Sequence, residues 1–448
     1  MMTRHFFRVL GSLALFFAPL AWADVPIDHW VQPNGAQVFL VQSHGLPMVD
    51  VQLDFDAGSR RDPPDKAGLA SATAAMASRG LLAAADAPAL DENALSEAWA
   101  DLGAAFGASA GADRMGFSLR ALTYPDLLPK VVALAARQLA LPAFAPDVWQ
   151  REREQWVAAI QEADTRPATV ASKAFDAAVY GTHPYGYQPS AATLGRIGVT
   201  DMRAFYAQSI RPCRAKVSIV GDVTRVQADA LVAGLLARLD ANATCPSLPL
   251  VPEVGPMEQP GSTQAIAFAS AQAHVLIGQP GIRRKDPDFL ALTVGNYVLG
   301  GGGFVSRLMA QVREKRGLSY SVYSHFAPGQ HAGAFTVGLQ TRPDQAQQAV
   351  QVTREVVAQF VADGPTEQEL QAAKSNLIGG FALRLDSNRK LLDNVANIAW
   401  NGLPLDYLDT WTAAVDRLTV RDVRQAFARV LHPAEMVTVV VGGRTQSP

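Results

Sequence analysis

RIGVTDMRAFYAQSIRPCRAKVSIVG (Arg196 to Gly221) and RLTVRDVRQAFARVLHPAEMVTVVVG (Arg417 to Gly442) lie over one another without a gap. Identities fall at Arg196 and Arg417, Val199 and Val420, Asp201 and Asp422, Arg203 and Arg424, Ala207 and Ala428, Pro212 and Pro433, Val220 and Val441, and Gly221 and Gly442. Chance similarity between two amphipathic helices would not also bring the proline and the final glycine into register. In the second copy Val423, Ala426, Phe427 and Val430 form an i, i+3, i+4, i+7 stripe, Pro433 stops the helix, and Met436 to Val441 is an apolar run of strand length. Each copy therefore reads as helix, proline turn and buried strand.

Working outward, both copies are preceded by a strand and then helices. Val49 to Phe55 leads to a helix near Gly68, and Ala265 to Ile277 leads to a helix carrying Leu290, Val294, Tyr297 and Val298. Hairpin-like returns occur at Arg114 to Leu122 and His331 to Leu339. The pattern predicts an α+β protein of two homologous halves, each a mostly antiparallel sheet with helices packed on one face. Between them PSLPLVPEVGPMEQPGS (246–262) is the most proline-rich stretch and reads as a linker, so the halves are 24–245 and 263–448.

Residues 1–23 read as a signal peptide. Arg4 and Arg8 mark a basic start, Val9 to Leu20 is apolar, and Ala21-Trp22-Ala23 is a small-x-small cleavage site. The expected product is an exported, periplasmic chain beginning at Asp24 with no membrane span, since no later stretch approaches the ~20 apolar residues required. The remaining length exceeds what one core usually serves. A net charge of −2 without long charged runs argues against nucleic acid as a partner. Cys213 and Cys245 are the only cysteines. Cys213 opens the strand Lys216 to Val220, the helix Val226 to Leu239 must run back toward the strand's start, and Cys245 lies just beyond it, so a disulfide is predicted.

The segment GGGGFVSRLMAQVREKRGLSYSVYSHF (Gly300 to Phe326) resembles the C-terminal-half signature of the pitrilysin, insulinase and mitochondrial-processing-peptidase family of zinc metallopeptidases. His183-Pro184-Tyr185-Gly186, the strand end Ile219 to Val223 and the duplication fit the same template. The resemblance implies a clam-like pair of halves enclosing a chamber for unfolded peptide. It also exposes a departure. Active members carry His-x-x-Glu-His after a Gly-x-Ala lead-in; here Gly68-Leu69-Ala70 is followed by Ser71 and Ala75 at the histidine positions and Ala74 at that of the glutamate base. With REREQWVAAIQEADTRP (Arg151 to Pro167) aligned by Ile160 and Pro167, the third ligand falls on Ala159. Catalytic zinc needs three nitrogen, oxygen or sulfur donors and a base for its water, and alanine offers neither. His325 and His331 bracket a hairpin turn and read as two solvated loop histidines rather than a substitute site.

What the resemblance leaves in place is an Arg and a Tyr of the second half, here Arg313 and Tyr320, which in the family reach across to the metal site. Arg313 to Arg316 closes a helix begun near Phe304, with cations at its negative end, and Gly317 is the predicted left-handed cap before a strand from Leu318 to Phe326. The resemblance associates Gly300, Gly301, Gly302 and Gly303 with handling substrate peptide; a tight turn between helices is the other reading. The region Gly107 to Leu119 offers an edge to which peptide adds as a strand, or plain packing. The reading reached is a non-catalytic subunit of a heterodimeric periplasmic zinc peptidase, without a cofactor of its own, that supplies Arg313 and Tyr320 to a homologous zinc-bearing subunit acting on peptides. A non-enzymatic binding or scaffold protein is the alternative, and a stand-alone zinc peptidase with unconventional ligands comes third.

Overall fold

The computed structural model of the chain describes residues 25–240 and 245–443. Residues 1–23, read above as a signal peptide, lie outside them. The first half forms a six-stranded sheet from β1 (Asp28–Val31), β2 (Gln37–Gln42), β3 (Met48–Phe55), β4 (Ala105–Ala110), β5 (Met115–Leu122) and β6 (Lys216–Gly221), in the order β1-β2-β6-β3-β5-β4. The second forms a five-stranded sheet from β7 (Thr263–Ile266), β8 (Ala273–Pro280), β9 (Val322–Phe326), β10 (Ala334–Thr341) and β11 (Val437–Val441), in the order β7-β11-β8-β10-β9. Without β1, the orders are the same. Each sheet has one parallel pair, β2 with β6 and β7 with β11, and is otherwise antiparallel.

The sequence repeat occupies matching places, and its identities have matching causes. Asp201 accepts from the Gly198 amide (2.9 Å) and Asp422 from the Thr419 amide (2.8 Å), each closing the first turn of its helix. A Cβ on Gly221 would lie 2.4 Å from the Met48 carbonyl oxygen, and one on Gly442 2.7 Å from Ala273 Cα, so each glycine lets its strand end against the start of the neighbouring strand. The predicted strand Ala265 to Ile277 is instead two strands, β7 and β8. Between them the Gln272 amide bonds to Ser270 Oγ (3.2 Å), a local turn that competes with sheet pairing.

Helices of each half cover one face of its own sheet. In the first half these include Leu69–Met76, Leu128–Ala140, Val199–Ser209 and Arg225–Leu236. The other face of each sheet is covered by a helix from the opposite half. Helix Pro167–Tyr180 lays Ala171, Phe175 and Val179 on Val437, Val439 and Val441 of β11. Helix Asn388–Asn401 lies on β3 and β6, and there Phe39, Val41 and Val220 join the core of the second half. Period-two alternation makes this possible, because odd and even residues of β11 face opposite sides. The covered face of the first sheet is mostly polar: Asp54 accepts from Arg114 (2.7 Å), Asp50 from Arg120 (2.6 Å), and Lys216 Nζ donates to the carbonyls of Ala399 (2.8 Å) and Trp400 (3.1 Å). The ammonium thus meets the negative end of the lent helix. Burial pushes its pKa below the ordinary lysine range.

A second junction uses His183-Pro184-Tyr185-Gly186. The Tyr185 hydroxyl donates to Asp113 Oδ1 (2.6 Å) and accepts from the His331 amide (3.2 Å), while Asp113 Oδ2 accepts from the Gln330 amide (2.9 Å). Glu253 of the linker accepts from the Ala332 amide (2.8 Å), and His183 contacts the Pro252 carbonyl (3.0 Å). His331 is therefore packed against Tyr185 and His183 rather than solvated, because the hairpin tip it occupies is docked on the first half. His325 stays exposed and stacks on Tyr323.

Cys213 and Cys245 are bonded, with 6.3 Å between their Cα atoms and a sequence separation of 32. The bond ties the start of β6 to the entry of the linker, where Arg61 also donates to the Pro249 carbonyl (2.9 Å). For a loop of this length the chain-entropy model gives about 3–4 kcal/mol. The Cys213→Ser, Cys245→Ser double variant is predicted to lose that much stability and so to unfold at a lower urea midpoint in equilibrium denaturation under non-reducing conditions; an unchanged midpoint would contradict it.

Candidate functional site

The helix Leu69–Met76 begins at Gly68, whose φ of +105° and close approach to Leu194 suit glycine alone. Its first amides, which have no partner within the helix, are held by Asp62, which accepts from Gly68 (2.8 Å) and Ala70 (2.9 Å). Ser71 and Ala75, four residues apart, share the half-buried face; Ala74 is packed into the core at 2% exposure. Ala159 is exposed on helix Pro146–Ala163, and Glu152, about two turns earlier on that helix, is buried and paired with Arg79 (3.1 Å). Among the described residues no three His, Cys, Asp or Glu side chains are grouped to hold a metal. Zinc does not fit this set, since the positions offer one hydroxyl and three methyl groups.

Arg313 and Tyr320 are brought together. Arg313 lies on a π-helical turn, Met309–Glu314, a form frequent at functional sites. Gly317 adopts φ +61°, its amide bonds to the Arg313 carbonyl (2.8 Å), and the Leu318 amide reaches Val312 (3.0 Å), ending the turn. The chain thereby returns so that the guanidinium carbon lies 4.9 Å from the centre of the Tyr320 ring. The strand starts later than the sequence predicts, at Val322, which leaves Tyr320 before it and 80% exposed. The Tyr320 hydroxyl and the Arg313 donors make no hydrogen bond among the described residues. Beside them Tyr320, Tyr323, His274, Gln272, Gln340 and Ser172 line a cavity of about 280 Å³.

The glycine run divides. Gly300 is buried, and a Cβ there would meet Ser324 Oγ at 2.4 Å, so it serves the approach of the π-helical turn Tyr297–Gly301 to β9. Gly301 and Gly303 are exposed and Gly302 partly so; Gly303 has φ +62° with open space around it. Immediately after it stand Phe304 and Val305, 67% and 75% exposed. Sequence reasoning missed Phe304, for which the only signal was an aromatic residue where a loop tip should be polar. As for the peptide-accepting edge, β4 is one of the two edge strands of the first sheet, whereas β5 is enclosed between β3 and β4.

A duplicated α+β scaffold with a half-buried arginine beside an exposed tyrosine, and with a serine and alanines at the positions where the resemblance puts zinc ligands and base, defines a peptidase-type chain altered at its metal position. The chain belongs to the M16 peptidase family. Residues 37–191 match the model described as insulinase (peptidase family M16) and residues 196–377 the one described as the peptidase M16 inactive domain. A solved structure of a peptidase M16 inactive domain from Pseudomonas fluorescens is 33% identical, with a TM-score of 0.87 covering 94% of this chain and 100% of that one. An uncharacterized zinc protease of Streptomyces coelicolor is 29% identical over 252 residues, 55% of this chain and 54% of that protein, so the match spans about half of its length. The periplasmic protease PqqL from Escherichia coli shares the fold at 18% identity, with a TM-score of 0.76 over 94% of this chain and 46% of that one. No described helix is long and apolar enough to cross a membrane.

Burial pushes the Asp62 carboxyl up to about 6, against the opposing pull of the amides it accepts from. A folded-state pKa above the unfolded one means stability is full below about pH 4 and is lost as pH rises through about 6. The Asp62→Asn variant is predicted to gain about 2–3 kcal/mol relative to wild type between pH 4 and pH 7. Urea midpoints of both proteins across that range test it; parallel curves would reject the assignment.

Proposed function

We propose that this chain is the non-catalytic subunit of a heterodimeric zinc peptidase, exported to the periplasm, whose homologous sister chain carries the metal and the general base. The observation that carries the reading is the pair of a half-buried Arg313 and an exposed Tyr320, whose side chains make no hydrogen bond among the described residues, on a chain whose zinc positions hold Ser71, Ala74, Ala75 and Ala159. A scaffold has no need of such a pair. The basic, apolar and small-residue order of residues 1–23 supports export. PqqL, which is periplasmic and of which this chain covers 46%, supports the idea of a half that works beside another half.

In this reading the substrate is an unfolded peptide, and the chain's contribution is positioning and charge stabilisation. When water adds to a peptide carbonyl, negative charge grows on its oxygen. A phenol held at that point donates a hydrogen bond that strengthens as the charge develops, which lowers the barrier rather than merely binding substrate. Arg313 offers planar donors to a substrate backbone carbonyl, anchoring the peptide in both ground and transition states.

The chain alone is predicted to hold no stoichiometric zinc and to cleave no peptide; one zinc per chain with turnover would overturn the proposal. Mixed with the sister subunit it is predicted to give activity in which Tyr320→Phe lowers kcat by about 10²–10³-fold, the effect typical of losing one such donor. Arg313→Ala is predicted to raise KM as well. Size-exclusion chromatography should show unchanged association of both variants. Normal assembly with wild-type rates would instead make this a scaffold subunit.

A further inference from the structure

We infer that Phe304, at the tip of the glycine-rich loop, is the residue that positions Arg313. The guanidinium carbon lies 4.7 Å from the centre of the Phe304 ring and 4.9 Å from that of Tyr320, so the cation is held against two aromatic rings. Arg313 is among the longest and most flexible of side chains, and it makes no hydrogen bond or ion pair among the described residues that would fix its direction. Stacking supplies that direction while leaving the edges of the planar group, where its N–H donors point, open to an incoming acceptor.

Phe304 is not there for the core. It is 67% exposed and stands outside the buried clusters of both halves. Its place is nevertheless fixed. Gly303 turns the chain at φ +62°, and Ser306, fully buried, donates from Oγ to the Gly303 carbonyl (2.7 Å) and accepts from the Met309 amide (3.4 Å), pinning the tip to the helix that carries Arg313. The run Gly301 to Gly303 thus acts on peptide through Arg313, by delivering a ring to it. The KM consequence rests on the function proposed above; the stacking itself does not.

Two arms separate the two. In the isolated chain, labelled at arginine nitrogen, the Arg313 Nε–H proton should resonate upfield through the ring currents of its neighbours. It should move toward the free-arginine position in Phe304→Leu and return in Phe304→Trp; thermal melting should be unchanged, given the exposure of the site. In the reconstituted pair Phe304→Leu should raise KM roughly two- to fivefold, the factor corresponding to one exposed cation–π contact. It should leave kcat unchanged, have no effect when Arg313 is already alanine, and be rescued by Phe304→Trp. An unmoved Arg313 resonance in Phe304→Leu, or the same KM penalty in the Arg313→Ala background, overturns the inference. Inactivity of the wild-type pair would reject the subunit reading alone and leave the resonance to decide this one.

Discussion

A β-sheet has two faces, and each must be covered if its backbone and apolar side chains are to leave water. In this chain neither half meets that requirement by itself. Each lays its own helices on one face and borrows one helix for the other, Pro167–Tyr180 going to the second sheet and Asn388–Asn401 to the first. The two loans differ in chemistry. The first is an apolar contact of Phe175 and its neighbours with the valines of β11, whereas the second adds to Phe39, Val41 and Val220 the polar contacts of Lys216 with the helix's end at Ala399 and Trp400 and of Arg114 with the Ala396 carbonyl, over a face bearing Asp50 and Asp54. With the Asp113, Tyr185 and Glu253 junction, this fixes the relation of the halves, and through it every distance between them.

The common sheet order also shows how one duplicated plan has diverged. After β3 comes the helix with Ser71, Ala74 and Ala75; after the corresponding β8 come helix Phe289–Asn296 and the glycine run. The first site has become a packed alanine helix, its amides held by a buried aspartate. The second keeps π-helical turns and exposed aromatic residues, features that cost stability and persist where something other than stability is served. The first half offers packing at this place, and the second offers exposed side chains.

Much of this was legible beforehand. The gapless repeat from Arg196 and Arg417 placed β6 and β11 in equivalent positions because strand-end glycines and helix-start aspartates answer to strictly local demands of backbone space and capping. Gly317 was readable as a cap for the same reason. The lent helices were not, since the apolar stripe Ala171, Phe175, Val179 says that a face must be buried and not against which sheet. The docking of His331 depends on Asp113 and Tyr185, far away in sequence, and the stacking of Phe304 on Arg313 depends on a turn whose π geometry no propensity marks. The split of Ala265 to Ile277 into β7 and β8 escaped notice because its small residues between two apolar runs do not break a period-two pattern.

The exchanged helices also set an order on biogenesis. A chain made from its amino terminus presents helix Pro167–Tyr180 long before β11, at Val437–Val441, exists to receive it. Until β8 and then β11 are made, Ala171, Phe175 and Val179 lack their full cover, and the first sheet lacks that of Asn388–Asn401. The first half is thus a nascent intermediate with an adhesive face, of the kind that aggregates or engages chaperones, and consolidation must wait for nearly the last residues to emerge. Truncation at the carboxyl terminus would consequently strip cover from the amino-terminal half of the molecule as well.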